Sequence, residues 1–400
     1  MADAMAEALV ARAAAMVPVL RERQAECEAL GRMPDTTAAE LSEAGFYRVL
    51  APARYGGLEL DLETFSRLVV ELSRGCPSTG WAYAFAAAHT LLLAALFEER
   101  CQDEVFGAGE VRMPGNIRPQ PAERLPHGGY RLSGSWDYVS GCDTATHYLL
   151  GALCTGDEPL AALTCVVDAG ECAIVDNWDM QGLRGTGSKR VVAEGVHVPE
   201  HRAIVSIDGP QARLYAATRD RPGRNVHVNP IYRAGGIFSV LFGECVAVAV
   251  GIARAALDLY EETLRSRVAL TPPGGPLMHH PQYRRILGDA LGRVDAAEDV
   301  LLATDRDYRD WSARDVAGGE RFGAELEQRL ILRKLVCARL CAEAVDLVVR
   351  TSGSSALRRG TTMERLARDM ATLMTHPTVQ LEACAELYGL VRFGAPPGAD

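Results

Sequence analysis

The texture of the chain changes twice along its length, and this double change restricts the fold more than any single motif. Up to roughly residue 110 apolar residues recur at helical spacing. Leu41, Ala44 and Phe46 begin one face, and Leu62, Phe65, Leu68, Val69 and Leu72 mark an amphipathic helix beyond the turn at Tyr55-Gly56-Gly57. Thr37 and Glu40 have the spacing of a capping box. The stretch Cys76-Pro-Ser-Thr-Gly80 then interrupts the pattern, with Ser78 or Thr79 placed to cap an alanine-rich helix that carries Trp81, Tyr83, Phe85 and His89. Between about 112 and 212 glycine and proline become frequent, and short alternating or β-branched runs replace the long helical ones. Segments 130–136, 148–153, 162–167 and 191–198 are the clearest strands, at a spacing that suits a compact barrel or sandwich rather than βαβ units. From about 235 the helical period returns in segments near 236–268, 281–312, 320–352 and 363–393, with the loop 270–276 between the first two. The expected fold is therefore mostly α with a central β domain: an α-helical domain over 1–111, a β domain over 112–212 and a four-helix bundle over 213–400.

Composition narrows the partners. A net charge of -10 lacks the basic face that displaces counterions from phosphates, so nucleic acid is not an expected partner. The cysteines are odd in number at 11 and show no CxxC or zinc-like spacing, which points to free thiols in a reducing cytoplasm. Cys337 and Cys341, one helical turn apart in an apolar pattern, read as core. His197 and His201 have metal-like spacing only in a helix, which Pro199 forbids, and His279-His280 reads as surface; no metal site is expected. The N-terminus carries Asp3 and Glu7 and lacks the features of a signal peptide. The run 236–253 is nearly long enough to span a bilayer, but Glu244, Gly243 and Gly251 interrupt it, so a buried bundle helix is expected instead of a membrane span.

Five stretches, in this order, carry a further likeness: Cys76-Pro-Ser-Thr-Gly-Trp81, Gly134-Ser-Trp-Asp-Tyr-Val-Ser-Gly141, Trp178-Asp-Met-Gln-Gly-Leu-Arg-Gly-Thr-Gly-Ser188, Val198-Pro-Glu200, and Arg368-Asp369 followed by His376. Together they resemble the acyl-CoA dehydrogenase superfamily over nearly the whole chain. Within it the nearer likeness is to the oxygenase components of two-component flavin monooxygenases such as 4-hydroxyphenylacetate hydroxylase. The resemblance implies a flavin held between the β domain and the bundle. It also implies reduced FMN or FAD supplied by a separate NAD(P)H–flavin reductase, with O2 as co-substrate. Through a C4a-hydroperoxyflavin, oxygen would pass to a phenolic or other aromatic small molecule, polyketide-derived ones included. A homotetramer follows from the same likeness, with 351–355 as the loop that completes a neighbour's flavin site.

The residues that matter on this reading have their own chemistry. Trp136, Tyr138 and Ser140 alternate along a predicted strand and so share a face, with Ser140 at its end and Gly141 beyond. The resemblance puts the Ser140 hydroxyl at flavin N5; the plainer alternative is a serine that ends a strand in a turn. Arg184-Gly-Thr-Gly-Ser188 combines small residues, hydroxyls and open backbone N–H groups, suited either to a flavin or to a tight turn, and Arg184, Thr186, Gly187 and Ser188 are the expected contacts. His376 stands where many dehydrogenases have a catalytic glutamate, in a stretch without a carboxylate until Glu382; an imidazole there can take the proton of a phenol. Trp81 and His89, eight positions apart on one helix, are expected to border the substrate, as are Tyr232 and Arg233 before the first bundle helix. Arg368-Asp369 is expected to be scaffold.

The chain shows no glycine-rich dinucleotide fingerprint after a strand, which fits reliance on an external reductase. Three other readings stay open: N-oxygenation of an amine or amino sugar, which needs no phenol deprotonation; acyl-CoA dehydrogenation, which needs a carboxylate base; and a non-enzymatic remnant that binds no flavin.

Overall fold

The structure is a computed structural model that describes residues 2–155, 161–205, 221–269 and 274–394. The 212/213 boundary and most of the 270–276 loop lie outside them. The first layer consists of α1 (Ala2–Leu30), α2 (Asp35–Glu43), α3 (Leu62–Gly75), α4 (Pro77–Leu96) and α5 (Glu99–Gly107). In α3 the predicted stripe of Leu62, Phe65, Leu68, Val69 and Leu72 is buried, and Asp61 caps the helix by accepting the Thr64 N–H at 3.0 Å. Two predicted caps fail. Thr37 and Glu40 lie inside α2, where Arg23 pairs with Glu40 at 2.6 Å and donates to the Thr37 hydroxyl at 3.1 Å. α4 starts at Pro77, whose fixed φ suits the first helical position, so Ser78 and Thr79 fall inside the first turn.

The middle region forms one seven-stranded sheet with the order β5-β6-β2-β1-β3-β4-β7. Its strands are β1 (Gly115–Arg124), β2 (Tyr130–Val139), β3 (His147–Thr155), β4 (Ala161–Asp168), β5 (Ala173–Val175), β6 (Lys189–Val198) and β7 (Ala203–Val205). β1 and β3 are parallel and the other pairs antiparallel. The sheet encloses its own apolar cluster, with Trp136, Tyr148, Leu150 and Val191 among its members. The alternation expected at the end of β2 is broken. The β2–β6 register shifts between Trp136 and Val139, and Tyr138 takes a φ of 60°. Trp136 therefore points into the sheet core, while Tyr138 turns outward and is 61% exposed.

The last layer contains α6 (Phe238–Ser266), α7 (Pro281–Val316), α8 (Ala324–Thr351), α9 (Thr362–Leu373) and α10 (Leu381–Phe393). The predicted segment 363–393 is thus two helices. Pro377 cannot extend α9, and the chain makes a short 3-10 turn over Pro377–Val379, with His376 at its head. α6 packs against α3, α4, α7 and α8. α4 and α6 are both long and apolar enough to cross a membrane, but 94% and 83% of their apolar windows are buried inside the molecule. Cys337 and Cys341 are core residues, as their spacing requires. Asp369 joins α9 to the middle region by accepting the Leu183 N–H at 2.6 Å, and Arg368 pairs with Glu28 of α1.

Candidate active site

A cavity of about 810 Å³ opens where α4, the end of β2, the 178–188 loop, α6 and the break after α9 converge. Its aromatic wall follows from the four-residue stripe on α4. Trp81 stacks on Phe85 at 5.0 Å, and the rings of His376 and His89 meet Phe85 edgewise at 6.1 and 6.2 Å. Tyr138, swung out by the bulge in β2, meets Trp178 edge-on at 5.9 Å on the opposite side.

A chain of hydroxyls runs along one wall. The Trp81 indole N–H donates to Ser140 Oγ at 2.9 Å, Ser140 Oγ lies 2.8 Å from Ser188 Oγ, and Ser188 Oγ lies 2.6 Å from Thr186 Oγ1. Thr186 donates to the Leu183 carbonyl at 2.9 Å. An indole can only donate and a carbonyl can only accept, so every proton in the chain points from Trp81 toward Leu183. Ser140 gives its proton to Ser188 and receives one from Trp81, which leaves it one open lone pair.

His376 Nδ1 lies 2.7 Å from the Thr378 hydroxyl, which in turn reaches Cys245 Sγ at 3.1 Å. The Thr378 backbone N–H also donates to His376 Nδ1, at 3.3 Å, so Nδ1 is the acceptor and the hydrogen of the neutral ring resides on Nε2. Burial lowers the pKa of His376 to about 4, so the ring is neutral at ordinary pH. His89 is likewise lowered to about 4 by burial; its Nδ1 lies 2.8 Å from the Met113 carbonyl and must carry the hydrogen.

Of the predicted site residues, Trp81, His89, Tyr138, Ser140, Thr186, Ser188 and His376 line this cavity. Six others do not. Trp136 is held in the sheet core by the Arg118 and Gly151 carbonyls, each 3.0 Å from its indole nitrogen. Gly141 and Gly187 act behind the wall: the Gly141 N–H donates to Thr186 O at 2.8 Å and the Gly187 N–H to Gly31 O at 3.0 Å. Arg184 faces a separate surface groove and lies 3.5 Å from Glu28. Tyr232 is buried, with its hydroxyl on the Leu50 carbonyl at 3.0 Å, and Arg233 beside it does not reach the cavity wall.

Sequence reasoning missed Glu244. It lines the cavity from α6, is fully buried, and neither carboxyl oxygen has a hydrogen-bond partner. The signal was one carboxylate in an apolar run, which weighs against a membrane span but also marks a buried polar group that needs a purpose. The absence of a carboxylate from 370–381 therefore does not leave the cavity without one. Among the described residues no cluster of metal-ligating side chains occurs.

The cavity suits a flavin. It offers flat aromatic walls, room for a tricyclic ring, and in Ser140 a hydroxyl whose open lone pair can meet an N–H. This three-layer fold with such a cleft defines a flavoprotein of the acyl-CoA dehydrogenase type. Residues 4–104 match the acyl-CoA dehydrogenase N-terminal domain, and residues 244–381 match the acyl-CoA dehydrogenase C-terminal domain. The chain is 32% identical to the flavin-dependent monooxygenase, oxygenase subunit HsaA, of Rhodococcus jostii (strain RHA1), over 96% of this chain and 97% of the relative. It is 28% identical to the FADH(2)-dependent resorcinol hydroxylase, oxygenase component, of Rhizobium sp. (strain MTP-10005), over 97% and 95%. The crystal structure of XiaF from Streptomyces sp. in complex with FADH2 and glycerol superposes with a TM-score of 0.88 at 26% identity, covering 100% of this chain and 98% of that one. The chain belongs to the flavin-dependent monooxygenase oxygenase subunits, with reduced flavin as cofactor and O2 as co-substrate.

Proposed function

We propose that the protein hydroxylates a phenolic aromatic compound in this cavity and receives its reduced FMN or FAD from a separate NAD(P)H-dependent reductase. The observation that carries the reading is the pairing of a neutral His376, held by Thr378 through Nδ1, with the hydroxyl chain that ends at Ser140. With Nδ1 engaged as an acceptor, His376 offers its Nε2–H to the phenol oxygen, which favours the phenolate and raises the electron density of the aromatic ring. Ser140, Thr186 and Ser188 would hold the polar edge of the flavin, with Tyr138 and Trp178 beside it; the bound flavin supplies the activation of O2. The open lone pair of Ser140 suits the N5–H of a reduced flavin and helps keep that proton in place. The apolar wall of Trp81 and Phe85 excludes water from the reacting centre.

The names of two relatives agree with an aromatic substrate and a reduced-flavin supply from outside the chain. A homotetramer in the cytoplasm fits the same reading, given a long-helix bundle and 11 free, largely buried thiols. The test is anaerobic protein with reduced FMN or FAD, mixed with ¹⁸O2 and a panel of phenols. One labelled oxygen in the product supports the proposal; peroxide alone with every phenol, but oxygenation of amines, overturns it in favour of N-oxygenation.

A further inference from the structure

Two buried side chains of the cavity wall, Gln328 and Glu244, have oxygens without partners, and Glu244 lacks a partner on both of its own. Glu244 also has zero exposure. The buried Lys334 is engaged elsewhere, at 2.9 Å from Asp305 and 3.0 Å from the Ser239 carbonyl. His89 Nε2 lies 3.7 Å from Glu244 Oε1, too far for a hydrogen bond. An apolar residue would sit more comfortably at this point of α6, so the carboxyl awaits a partner that arrives with a ligand.

Glu244 and His89 together specify that partner. Burial pushes the Glu244 carboxyl well above the usual range, so it is protonated and offers one O–H and one carbonyl. His89 commits its Nδ1–H to the Met113 carbonyl and offers a bare Nε2 as acceptor. A hydroxyl satisfies both, taking the Glu244 O–H on its oxygen and giving its own proton to His89. A carboxylate or phosphate has no proton for His89 and would bring a buried charge. A ketone would leave Nε2 unmet, and an ammonium would require an ionised Glu244 in an apolar wall. His89 and His376 both pack edgewise on Phe85, at 6.2 and 6.1 Å, so the two polar ends belong to one space floored by one ring.

We propose that Glu244 and His89 form a second hydroxyl-recognition site, complementary to His376, and that the substrate is an aromatic compound carrying two hydroxyl groups, one for each histidine. This deepens the phenol-hydroxylase reading and rests on it. Calorimetric titration of the anaerobic, reduced-FMN-loaded protein with resorcinol and hydroquinone, each against its monomethyl ether, tests it by binding alone. At least one diol should bind more tightly than its ether by about tenfold or more, because an ether cannot donate to His89. In Glu244→Leu, and separately in His89→Phe, the ratio should fall to within about twofold; the second variant covers failure of the first to fold. Equal binding of each diol and its ether by the unaltered protein, or a ratio preserved in both variants, overturns the proposal. A preference for 3-aminophenol over resorcinol that Glu244→Leu abolishes also overturns it, by showing an ionised carboxylate. Labelled hydroxylation of simple phenols would leave the broader reading standing in each of those cases, and its absence would remove both.

Discussion

The indole N–H of Trp81 donates at 2.9 Å to the hydroxyl of Ser140, a residue of another layer, at the head of a chain whose proton direction is fixed by the Leu183 carbonyl at its far end. Replacing Trp81 with Phe keeps an aromatic ring beside Phe85 but removes the donor to Ser140. Such a variant should release more peroxide per reduced flavin oxidised, and a Trp81→Phe/Ser140→Ala double variant should be no worse than Ser140→Ala alone. Coupling measured as product per O2 consumed checks this; additive losses would mean that Trp81 acts independently of Ser140.

Thr378 holds His376 in one tautomer, with its hydroxyl and its backbone N–H both on Nδ1. Thr378→Val removes the hydroxyl 2.7 Å from Nδ1 while keeping the volume. Turnover of a phenol should fall by about tenfold or more with KM little changed, in the range of a lost acid–base contribution. Thr378→Ser should restore most of it, whereas equal loss in both variants would indicate a packing role.

Two buried imidazoles make stability depend on pH. His89 and His376 are lowered from 6.5 to about 4 by burial. Above pH 6.5 neither the folded nor the unfolded chain protonates them; as pH falls below 6.5 the unfolded chain takes up protons that the folded chain refuses until about 4. Their contribution to stability is therefore complete above 6.5 and is lost as pH falls toward 4. The loss is on the order of 3 kcal/mol per histidine at the lower end. Denaturant melts between pH 7.5 and 4.5 should show a shallower dependence in His89→Phe than in the unaltered protein.

Glu244→Leu should raise the melting temperature in the absence of ligands. Removing a buried carboxyl with no partner relieves roughly 1–3 kcal/mol, and leucine suits the surrounding apolar run. Calorimetry settles the sign, and a lower melting temperature would mean that Glu244 already has a stabilising partner.

The layer order was legible because hydrophobic periods of different length mark helices and strands independently of the site. The α3 stripe and four of the seven strands followed from it directly. β1 was not legible, because Pro119, Pro121 and five charged or amide side chains disguise a strand whose partners, β2 and β3, come later in the chain. At the site, Ser140, Thr186, Ser188 and His376 were reached through short motifs, and the structure brings them to one wall. Trp136 was lost to a register shift that a strict period of two cannot anticipate. Glu244 required knowledge of which face of α6 meets the cavity, a matter of tertiary packing alone.

The cavity wall draws on residues from Trp81 to Leu387 and on all three layers. No amino-terminal or carboxy-terminal piece of the chain can assemble it. Reduced flavin is therefore a ligand of the finished molecule only, and its binding free energy is added to the whole cooperative unit at once. A chain emerging from synthesis, or one opened by local unfolding, has no place in which to consume reductant and oxygen, so completion of the fold itself guards against idle production of peroxide.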